Sequence, residues 1–395
     1  MIERSVQLSL PHRVFFTDGV FAAGNETLAR ALGDTGGRPR KVLAIIEGAV
    51  AAAQPELPPA LTDWFQRGGG AWQLAAEPLI VPGGEACKND WHRVEELWAA
   101  INDAGIDRHS AVIAIGGGAL LDLAGFASAT AHRGVRHIRL PTTTLSQGDG
   151  GAGVKNGVNF FRKKNWVGTF AVPWAVVNDH QFLTTLPDED KRDGIIEAIK
   201  VALIRDAAFY EELEQNAAAL GALDDAVLRR IIRRSAELHV EHICTGGDPF
   251  ELGSARPLDF GHWVAHRLEP MSGFAVSHGK AVATGMAVDL LYSKHAGLLS
   301  PADCDRILTL IGRAGFHLWH DELTALGPDG KPGILRGLED FREHLGGELT
   351  ITLVTAPGTA VEVHKMDSTL VLAAIAELRE RADEMKWLTG KSSGP

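Results

Sequence analysis

The sequence has few cysteines and no long apolar run, and each lack excludes a class of protein. The three cysteines, Cys87, Cys244 and Cys304, are too few and too scattered for a disulfide framework and are typical of reduced thiols in a cytoplasm. Charged residues, proline or glycine interrupt every apolar stretch, so no transmembrane helix is predicted. The N-terminus lacks the apolar core of a signal peptide. We therefore expect a cytoplasmic protein.

A basic run is also missing. Lysine and arginine total 39 residues against 50 aspartates and glutamates, which gives a net charge of -11. This balance argues against nucleic acid and against a membrane as partners. An anionic substrate would therefore be held by a local group of cations. The length of 395 residues exceeds what a single core usually supports, so two domains are expected.

The two halves of the chain differ in periodicity. Strands are predicted at residues 42–46, 79–81, 111–115, 136–140 and 175–177, and helices at 91–104 and 119–131. Such alternation predicts a largely parallel sheet. From Leu186-Pro187-Asp188 onward the pattern is helical, apart from one predicted strand at 349–354. We expect an α/β domain over residues 1–185 and an α-helical domain over residues 186–395.

A glycine turn in the first half is a candidate cofactor site. Three glycines, 116–118, follow a predicted strand and open a helix, where backbone N–H groups can hold a pyrophosphate. A plain tight turn explains them equally well. Glu47 ends an earlier strand. It either accepts hydrogen bonds from ribose hydroxyls or is a solvated acid in a loop. Thr142 and Thr143 follow another strand. Their hydroxyls either bind a ligand at the end of the sheet or form a turn and helix cap.

The second half contains a candidate metal site. Glu197, His262 and His278 offer one carboxylate and two imidazoles, which suit a divalent metal with an open position, zinc above all. Lys200 lies one helical turn after Glu197. His262 and His266, four residues apart, form a rival pair on one helix face. Spacing alone leaves both sets open.

Residues 147–165 are rich in polar groups between glycines. Such a stretch suits a phosphate, or is a solvated surface loop. The polar residues are Asp149, Lys155, Asn159, Lys163, Lys164 and Asn165.

Taken together, these motifs resemble the 3-dehydroquinate synthase-like sugar phosphate cyclases. The similarity runs in order from about Glu47 to about Ala287. The motifs are Pro82-Gly83-Gly84-Glu85 with Lys88, Gly116-Gly117-Gly118 with Asp122, His132-Arg133-Gly134, Leu140-Pro141-Thr142-Thr143-Thr144-Leu145, Asp149, Lys155-Asn156-Gly157-Val158-Asn159, Lys164-Asn165, Glu197-Ala198-Ile199-Lys200, Phe260-Gly261-His262, His266 and His278-Gly279.

The resemblance implies a Rossmann-like N-terminal domain that binds NAD and an all-α C-terminal domain that binds zinc or cobalt, in a homodimer. The implied metal ligands are Glu197, His262 and His278. The implied NAD contacts are Glu47, Glu85, Lys88, Gly117, Gly118, Asp122, Thr142 and Thr143. The implied catalytic residues are Lys200, Asp149, Lys155 and His266. The implied substrate contacts are Arg133, Asn165, Glu251 and Arg256, with Arg133 reaching the phosphate across a dimer interface.

The implied activity is conversion of a heptulose 7-phosphate to a carbocycle with loss of phosphate. In this family the route is transient oxidation by NAD, polarisation by the metal, elimination, re-reduction and intramolecular aldol closure. A metal-dependent polyol or alcohol dehydrogenase of the same architecture is the main alternative, and a non-catalytic paralogue is the third.

The sequence departs from the dehydroquinate type where the substrate carboxylate is bound. No lysine or arginine occurs between Arg234 and Arg256, and Ala255 stands where an arginine is usual. Asp259 stands where the dehydroquinate type has an asparagine. The lysine pair that this type has near its C-terminus is missing, and Arg342 is the nearest cation. Missing cations argue against a carboxylate substrate, because an uncompensated anion in a dry pocket is costly.

The Ala255-Arg256 arrangement before Pro257-Leu258-Asp259 resembles instead the 2-epi-5-epi-valiolone synthases, which use sedoheptulose 7-phosphate. His266, in contrast, resembles the dehydroquinate type. Both sedoheptulose 7-phosphate and 3-deoxy-arabino-heptulosonate 7-phosphate therefore stay open as substrates.

Overall fold

The chain folds into two compact units. The computed structural model describes all residues except Gln7, Arg162, 247–249, 251–256, 328–329, 345–346 and 386–395. The first unit comprises Met1–Leu186 and Val240–Phe250, and the second comprises Pro187–His239 and Glu251–Pro395. Residues 240–250 therefore belong with the first unit, although they follow a long stretch of the second.

The first unit is an α/β structure. Its elements are β1 (Val14–Thr17), α1 (Thr27–Leu32), β2 (Arg40–Glu47), α2 (Gly48–Ala53), α3 (Leu57–Arg67), β3 (Trp72–Leu74), β4 (Leu79–Val81), α4 (Trp91–Asp103), β5 (Ala111–Gly116), α5 (Gly118–Thr130), β6 (Arg136–Pro141), α6 (Thr144–Gly148), β7 (Lys155–Phe160), β8 (Lys163–Phe170) and β9 (Ala175–Asp179). Seven strands form a parallel sheet in the order β1-β9-β6-β5-β2-β3, with β4 also paired to β2.

Both faces of this sheet are covered, which explains its apolar strands. All six residues of β5 are buried, as is usual for a parallel strand between two helical layers. Ile113 belongs to the core on one face, with Leu28 and Leu61 from α1 and α3. Ala114 belongs to the core on the other face, with Leu97 from α4 and helix α5. Because the strands are parallel, the carboxyl ends of β2, β5 and β6 lie at the same edge.

The polar stretch between β6 and β9 folds as a hairpin. Strands β7 and β8 pair antiparallel, with Lys155 opposite Phe170 and Gly157 opposite Gly168. The interpretation as a loop is therefore wrong for residues 155–160 and 163–165, although the side chains of residues 163–165 are exposed, as a solvated surface predicts. A solvated side-chain pattern does not prevent strand pairing, because the backbone provides the hydrogen bonds.

The second unit is helical. Its elements are α7 (Asp188–Arg205), α8 (Ala207–Gln215), α9 (Ala217–Gly221), α10 (Asp225–Thr245), α11 (His262–Met271), α12 (His278–His295), α13 (Pro301–Arg313), α14 (Arg336–His344), β10 (Ile351–Ala356), β11 (Thr359–Val363) and α15 (Ser368–Met385). The last six residues of α10, 240–245, belong to the first unit.

Helix α12 is at the centre of the second unit, because nearly every residue from Gly279 to Ser293 is buried. Helices α7, α11, α13 and α15 pack against it. The predicted fold class is confirmed, with the addition that β10 pairs antiparallel with β11. Within the residues that the structure describes, no helix has the length and apolar character needed to cross a membrane.

Candidate active site

A cluster of potential metal ligands lies in the second unit. Glu197 comes from α7, while His262 and His278 are the first residues of α11 and α12. One ligand atom from each lies within 4.8 Å of the other two. Glu197 and His262 are buried, whereas the His278 side chain is 28% exposed, so the cluster is open on one side. Two imidazoles and one carboxylate are the donor set of a catalytic zinc site with an open position.

Contacts behind the two imidazoles fix their orientation. Nδ1 of His262 is 3.1 Å from the carbonyl oxygen of Phe260, and Nδ1 of His278 is 3.3 Å from Oε1 of Glu269. When Nδ1 donates, Nε2 keeps the lone pair that a cation needs. Burial, followed by the nearby Lys200 charge, holds the pKa of His262 well below its usual value. The neutral, metal-binding form of His262 is therefore favoured.

Two further charged residues of α7 support the cluster. Lys200, which is buried, forms an ion pair with Glu197. Asp193 accepts hydrogen bonds from the Ser277 hydroxyl, at 3.2 Å, and from the backbone N–H of Gly279. Burial raises the pKa of Asp193 to about 6. Asp193 therefore ties α7 to the start of α12, just beside the metal-ligand candidate on that helix.

His266 lies near the cluster but outside it. Its ring centroid is 5.4 Å from that of His262 and 6.5 Å from that of His278. The side chain is exposed. The structure thus brings His278, and not His266, into ligand distance of Glu197 and His262. Sequence spacing did not distinguish these sets.

The carboxyl edge of the parallel sheet gathers the candidate cofactor residues. Oε2 of Glu47 accepts a hydrogen bond of 2.6 Å from the backbone N–H of Gly117. Thr142 is buried. The Thr143 hydroxyl caps α6 by accepting from the N–H of Ser146 at 3.1 Å. The helix-cap interpretation therefore describes Thr143 in the structure.

Glycines make room for the Glu47 carboxylate. A Cβ on Gly83 would lie 1.8 Å from Oε1 of Glu47, and one on Gly116 would lie 2.7 Å from Oε2. Gly118 begins α5, and Gly117 before it provides no side-chain cap. The amino end of α5 therefore retains the positive partial charge that favours an anion.

Lys88 organises a polar network in the same unit. Its buried ammonium group donates to Oδ2 of Asp122 at 2.7 Å and to Oδ1 of Asn165, and lies 3.9 Å from Oε1 of Glu85. Asn159 donates to Glu85 at 2.8 Å and accepts from the backbone of Asn165 at 2.8 Å. One cation thus connects residues that the family resemblance assigns to NAD with one that it assigns to the substrate.

Arg139 on β6 is a site-supporting residue that the sequence analysis missed. Its guanidinium group is fully buried and donates to the carbonyl oxygens of Gly151 and Gly153 and to Oδ1 of Asn156, at 2.9, 2.8 and 2.7 Å. It also reaches the carbonyl oxygen of Lys155 at 3.3 Å. Burial lowers the pKa of Arg139 to about 10, so it stays charged. An arginine in the middle of a predicted parallel strand, at residues 136–140, was the available signal.

The remaining candidate residues lie on different elements or outside the described residues. Asp149 directly follows α6, and Lys155 begins β7 with its side chain exposed. Arg133 is exposed and has a φ of 63°, in the left-handed region. Glu251 and Arg256 lie outside the described residues.

Comparison with known proteins identifies the relatives of this chain. The family model described as 3-dehydroquinate synthase N-terminal matches residues 78–193, and the model described as 3-dehydroquinate synthase C-terminal matches residues 194–327. A 3-dehydroquinate synthase from Azotobacter vinelandii is 38% identical over 292 residues, which is 72% of this chain and 76% of that protein.

Two solved structures are similar over almost the whole chain. The 2-epi-5-epi-valiolone synthase of Streptomyces hygroscopicus subsp. jinggangensis, with NAD+ and Zn2+ bound, has a TM-score of 0.84 and 27% identity, covering 96% of this chain and 100% of that one. A 2-deoxy-scyllo-inosose synthase complexed with carbaglucose-6-phosphate, NAD+ and Co2+ has a TM-score of 0.75 and 22% identity, covering 92% and 96%. The second similarity concerns the fold alone.

Proposed function

The chain belongs to the 3-dehydroquinate synthase family, and we propose that it is an NAD- and metal-dependent sugar phosphate cyclase acting on a heptulose 7-phosphate. The observation that carries this proposal is the cluster of Glu197, His262 and His278, open on one side, with Lys200 beside it. The A. vinelandii relative is a 3-dehydroquinate synthase, and the valiolone synthase structure holds NAD+ and Zn2+. The net reaction is cyclisation with loss of phosphate, and NAD is regenerated.

The first unit provides the groups for NAD. Bound NAD supplies reversible oxidation of a secondary alcohol. Glu47 at the end of β2 accepts hydrogen bonds, which suits ribose hydroxyls. Gly117 and the amino end of α5 suit the pyrophosphate, and this requires Gly117 to exchange its bond with Glu47 for one with the ligand. Glu85, Lys88, Asp122, Thr142 and Thr143 complete the proposed contacts.

The second unit provides the groups for the metal. A zinc or cobalt ion held by Glu197, His262 and His278 supplies Lewis-acid polarisation of a substrate oxygen. Lys200 holds the Glu197 carboxylate and offers a buried positive charge for negative charge that develops on the substrate. His266, exposed beside the cluster, is suited to move a proton at its imidazole.

In this proposal, residues of the first unit bind the phosphate and the polar groups of the substrate. Lys155 presents an exposed ammonium group on a backbone held by Arg139. Asn165, in a left-handed conformation with a φ of 53°, and Asp149 are the other proposed contacts. Glu251 and Arg256 retain their proposed substrate roles, although they lie outside the described residues.

Arg133 supports a homodimer in which each subunit contributes to its partner's site. The left-handed backbone of His132 and Arg133 is uncommon for residues with a side chain and is typical of functional positions. Arg133 is exposed and forms no ion pair within the described part of the chain. We propose that it reaches the substrate phosphate of the partner subunit, in a cytoplasmic enzyme.

Mixing two inactive variants tests the role of Arg133 in the partner site. If Arg133 acts on the partner, co-expressed Arg133→Ala and His278→Ala chains form hybrid dimers with one intact site. Equal mixing should then restore about a quarter of wild-type activity. No restoration, with hybrid dimers verified by two affinity tags, would mean that Arg133 serves its own subunit.

The pairing of cations in the second unit favours sedoheptulose 7-phosphate as the substrate. A free carboxylate on the substrate would need an unengaged cation. Three described cations lie near the candidate metal ligands or near the position of the missing lysine pair, and each already forms an ion pair with an acid. The pairs are Lys280 with Glu189, Arg267 with Asp340, and Arg342 with Glu339.

A phosphate-release assay tests the proposed function. Purified protein with NAD and zinc or cobalt is given sedoheptulose 7-phosphate or 3-deoxy-arabino-heptulosonate 7-phosphate, and released phosphate, NADH and product mass are followed. Phosphate release without net NADH supports a cyclase, and the substrate consumed decides the carboxylate question. Net NADH without phosphate release would make the chain a dehydrogenase. No turnover of either sugar by protein that binds NAD and metal would contradict the heptulose 7-phosphate proposal.

A further inference from the structure

The turn before His262 is held directly against α12. Gly261 has a φ of 78°, in the left-handed region, and His262 follows it as the first residue of α11. A Cβ on Gly261 would lie 2.7 Å from the backbone nitrogen of Met286, and one on Gly285 would lie 1.9 Å from the carbonyl oxygen of Gly261. The backbone of Gly261 thus packs directly against the backbone of α12, so the position of His262 depends on that helix.

A buried carboxylate completes this contact. Asp289 lies one helical turn after Gly285 on α12 and is fully buried. Its Oδ2 accepts from the backbone N–H of Gly261 at 3.1 Å, and its Oδ1 accepts from the indole N–H of Trp263 at 2.8 Å. The two oxygens therefore hold the residues immediately before and after His262.

The two helices support each other's metal-ligand candidate. Helix α12 begins with His278 and holds the His262 turn through Asp289. Helix α11 begins with His262 and holds His278 through Glu269. Each helix thus carries an acid that holds the start of the other, since Asp289 holds the residues on either side of His262 and Glu269 contacts the imidazole of His278.

We propose that Asp289 is a positioning residue of the metal site, which fixes His262 through Gly261 and Trp263. This inference rests on the proposed binding of metal by Glu197, His262 and His278. A fully buried carboxylate is costly unless hydrogen bonds compensate its charge, and the two donors to Asp289 lie on either side of His262. Glu269, through its direct bond to His278, is the corresponding acid on α11. Loss of such outer contacts typically lowers metal affinity by about 10- to 100-fold.

Asp289→Asn is the main test, because it conserves shape but replaces one acceptor oxygen with a donor NH2 group. That group must face the N–H of Gly261 or of Trp263. We expect a loss of about 10- to 100-fold in zinc affinity, measured by chelator competition, and a changed visible spectrum of the Co2+ form. Ser293→Ala is the matched control, since Ser293 is buried on the same helix and its hydroxyl has no partner in the described structure. We expect its zinc affinity to equal that of the wild type.

A second variant separates positioning from folding. Trp263→Phe removes the indole donor, whereas Asp289 keeps its bond to Gly261. We expect a smaller loss of zinc affinity for Trp263→Phe than for Asp289→Asn. In the Trp263→Phe background, Asp289→Asn should cost less than in the wild type, because its amide oxygen can face Gly261 without placing the NH2 group against an indole N–H.

The outcomes distinguish this inference from the proposed function. If the wild type binds no zinc, or if His278→Ala keeps stoichiometric zinc, the proposed metal site is wrong. If wild type and Ser293→Ala bind zinc equally, and Asp289→Asn binds within about twofold with an unchanged Co2+ spectrum, Asp289 is only structural and the positioning role is overturned. Should Asp289→Asn not fold, unchanged zinc affinity and Co2+ spectrum in Trp263→Phe would overturn it in the same way.

Discussion

The metal cluster of the second unit and the polar edge of the first unit are organised differently. In the metal cluster the imidazoles bond outward, to the carbonyl oxygen of Phe260 and to Glu269, so their Nε2 atoms remain for a ligand. At the polar edge the functional groups bond to one another, as Glu47 does to Gly117. The first arrangement is preorganised for a ligand, whereas the second must exchange partners when one binds. Substitutions in the cluster should therefore abolish metal binding and turnover, whereas substitutions at the edge should lower stability and NAD binding by degrees.

The largest effect is expected from a metal ligand. His278→Ala removes one of three donors, so zinc affinity should fall by more than the roughly 100-fold that marks the loss of an outer contact, and turnover should be abolished. Metal content after dialysis and phosphate release measure this. His266→Ala is the control from the rival histidine set, and it should keep stoichiometric zinc. Zinc lost from His266→Ala and kept by His278→Ala would reverse the assignment.

A graded but large effect is expected at Lys88. Lys88→Met leaves the carboxylate of Asp122 without its cation, which should lower the free energy of unfolding by about 3 kcal/mol and weaken NAD binding. Urea unfolding and NAD titration measure the two effects. Asp122→Asn in the same chain should restore part of the stability, because the unpaired charge is removed. A double variant no more stable than Lys88→Met would show that the pair is not the cause.

Two glycines at the edge offer a matched pair. Gly83→Ala places a methyl group against Glu47, so it should lower the free energy of unfolding by about 1–3 kcal/mol and weaken NAD binding. A Cβ on Gly118 meets no protein atom within 4 Å, so Gly118→Ala should leave the NAD-free protein at least as stable. Titration with NAD then shows whether the ligand itself approaches Gly118. Equal stabilities for both variants would contradict the steric role of Gly83.

The last effect concerns pH and is small over any single pH unit. Burial raises the pKa of Asp289 from 3.8 to about 7, against the opposing effect of its two N–H donors. The folded chain thus binds this proton more tightly, so the stabilisation is full below the unfolded pKa and is lost as pH rises towards 7. Relative to Asp289→Asn, the metal-free wild type should lose stability across this window, with a slope of at most about 1.4 kcal/mol per pH unit. Parallel stability curves would contradict the raised pKa.

Sequence patterns predicted the elements with the strongest periodicity. The strand at 111–115 is confirmed as β5, because an uninterrupted apolar run between two turns has few alternatives in an α/β protein. The predicted start near Leu186-Pro187-Asp188 is confirmed by α7, which begins at Asp188 after Pro187. Strand β1 was missed because it is four residues long and only partly buried, so it has no distinct apolar pattern.

The contacts that complete the site were much harder to predict. Asp289 and Trp263 are 26 residues apart, and Glu269 and His278 are nine apart, so neither pair has a helical or strand spacing. The packing of α11 on α12 creates both pairs. The same packing brings His278, and not His266, to Glu197 and His262. Such tertiary choices are not encoded in local periodicity.

The buried Arg139 sets a limit on motion around the proposed phosphate site. Its charge-assisted bonds to Gly151, Gly153 and Asn156 oppose any opening of that segment, since opening would strand a guanidinium group in the interior. The backbone of Lys155 should therefore stay still while its exposed side chain changes rotamer within picoseconds to nanoseconds. Adaptation to sugars of different shape would then come from the ammonium group and not from a moving loop.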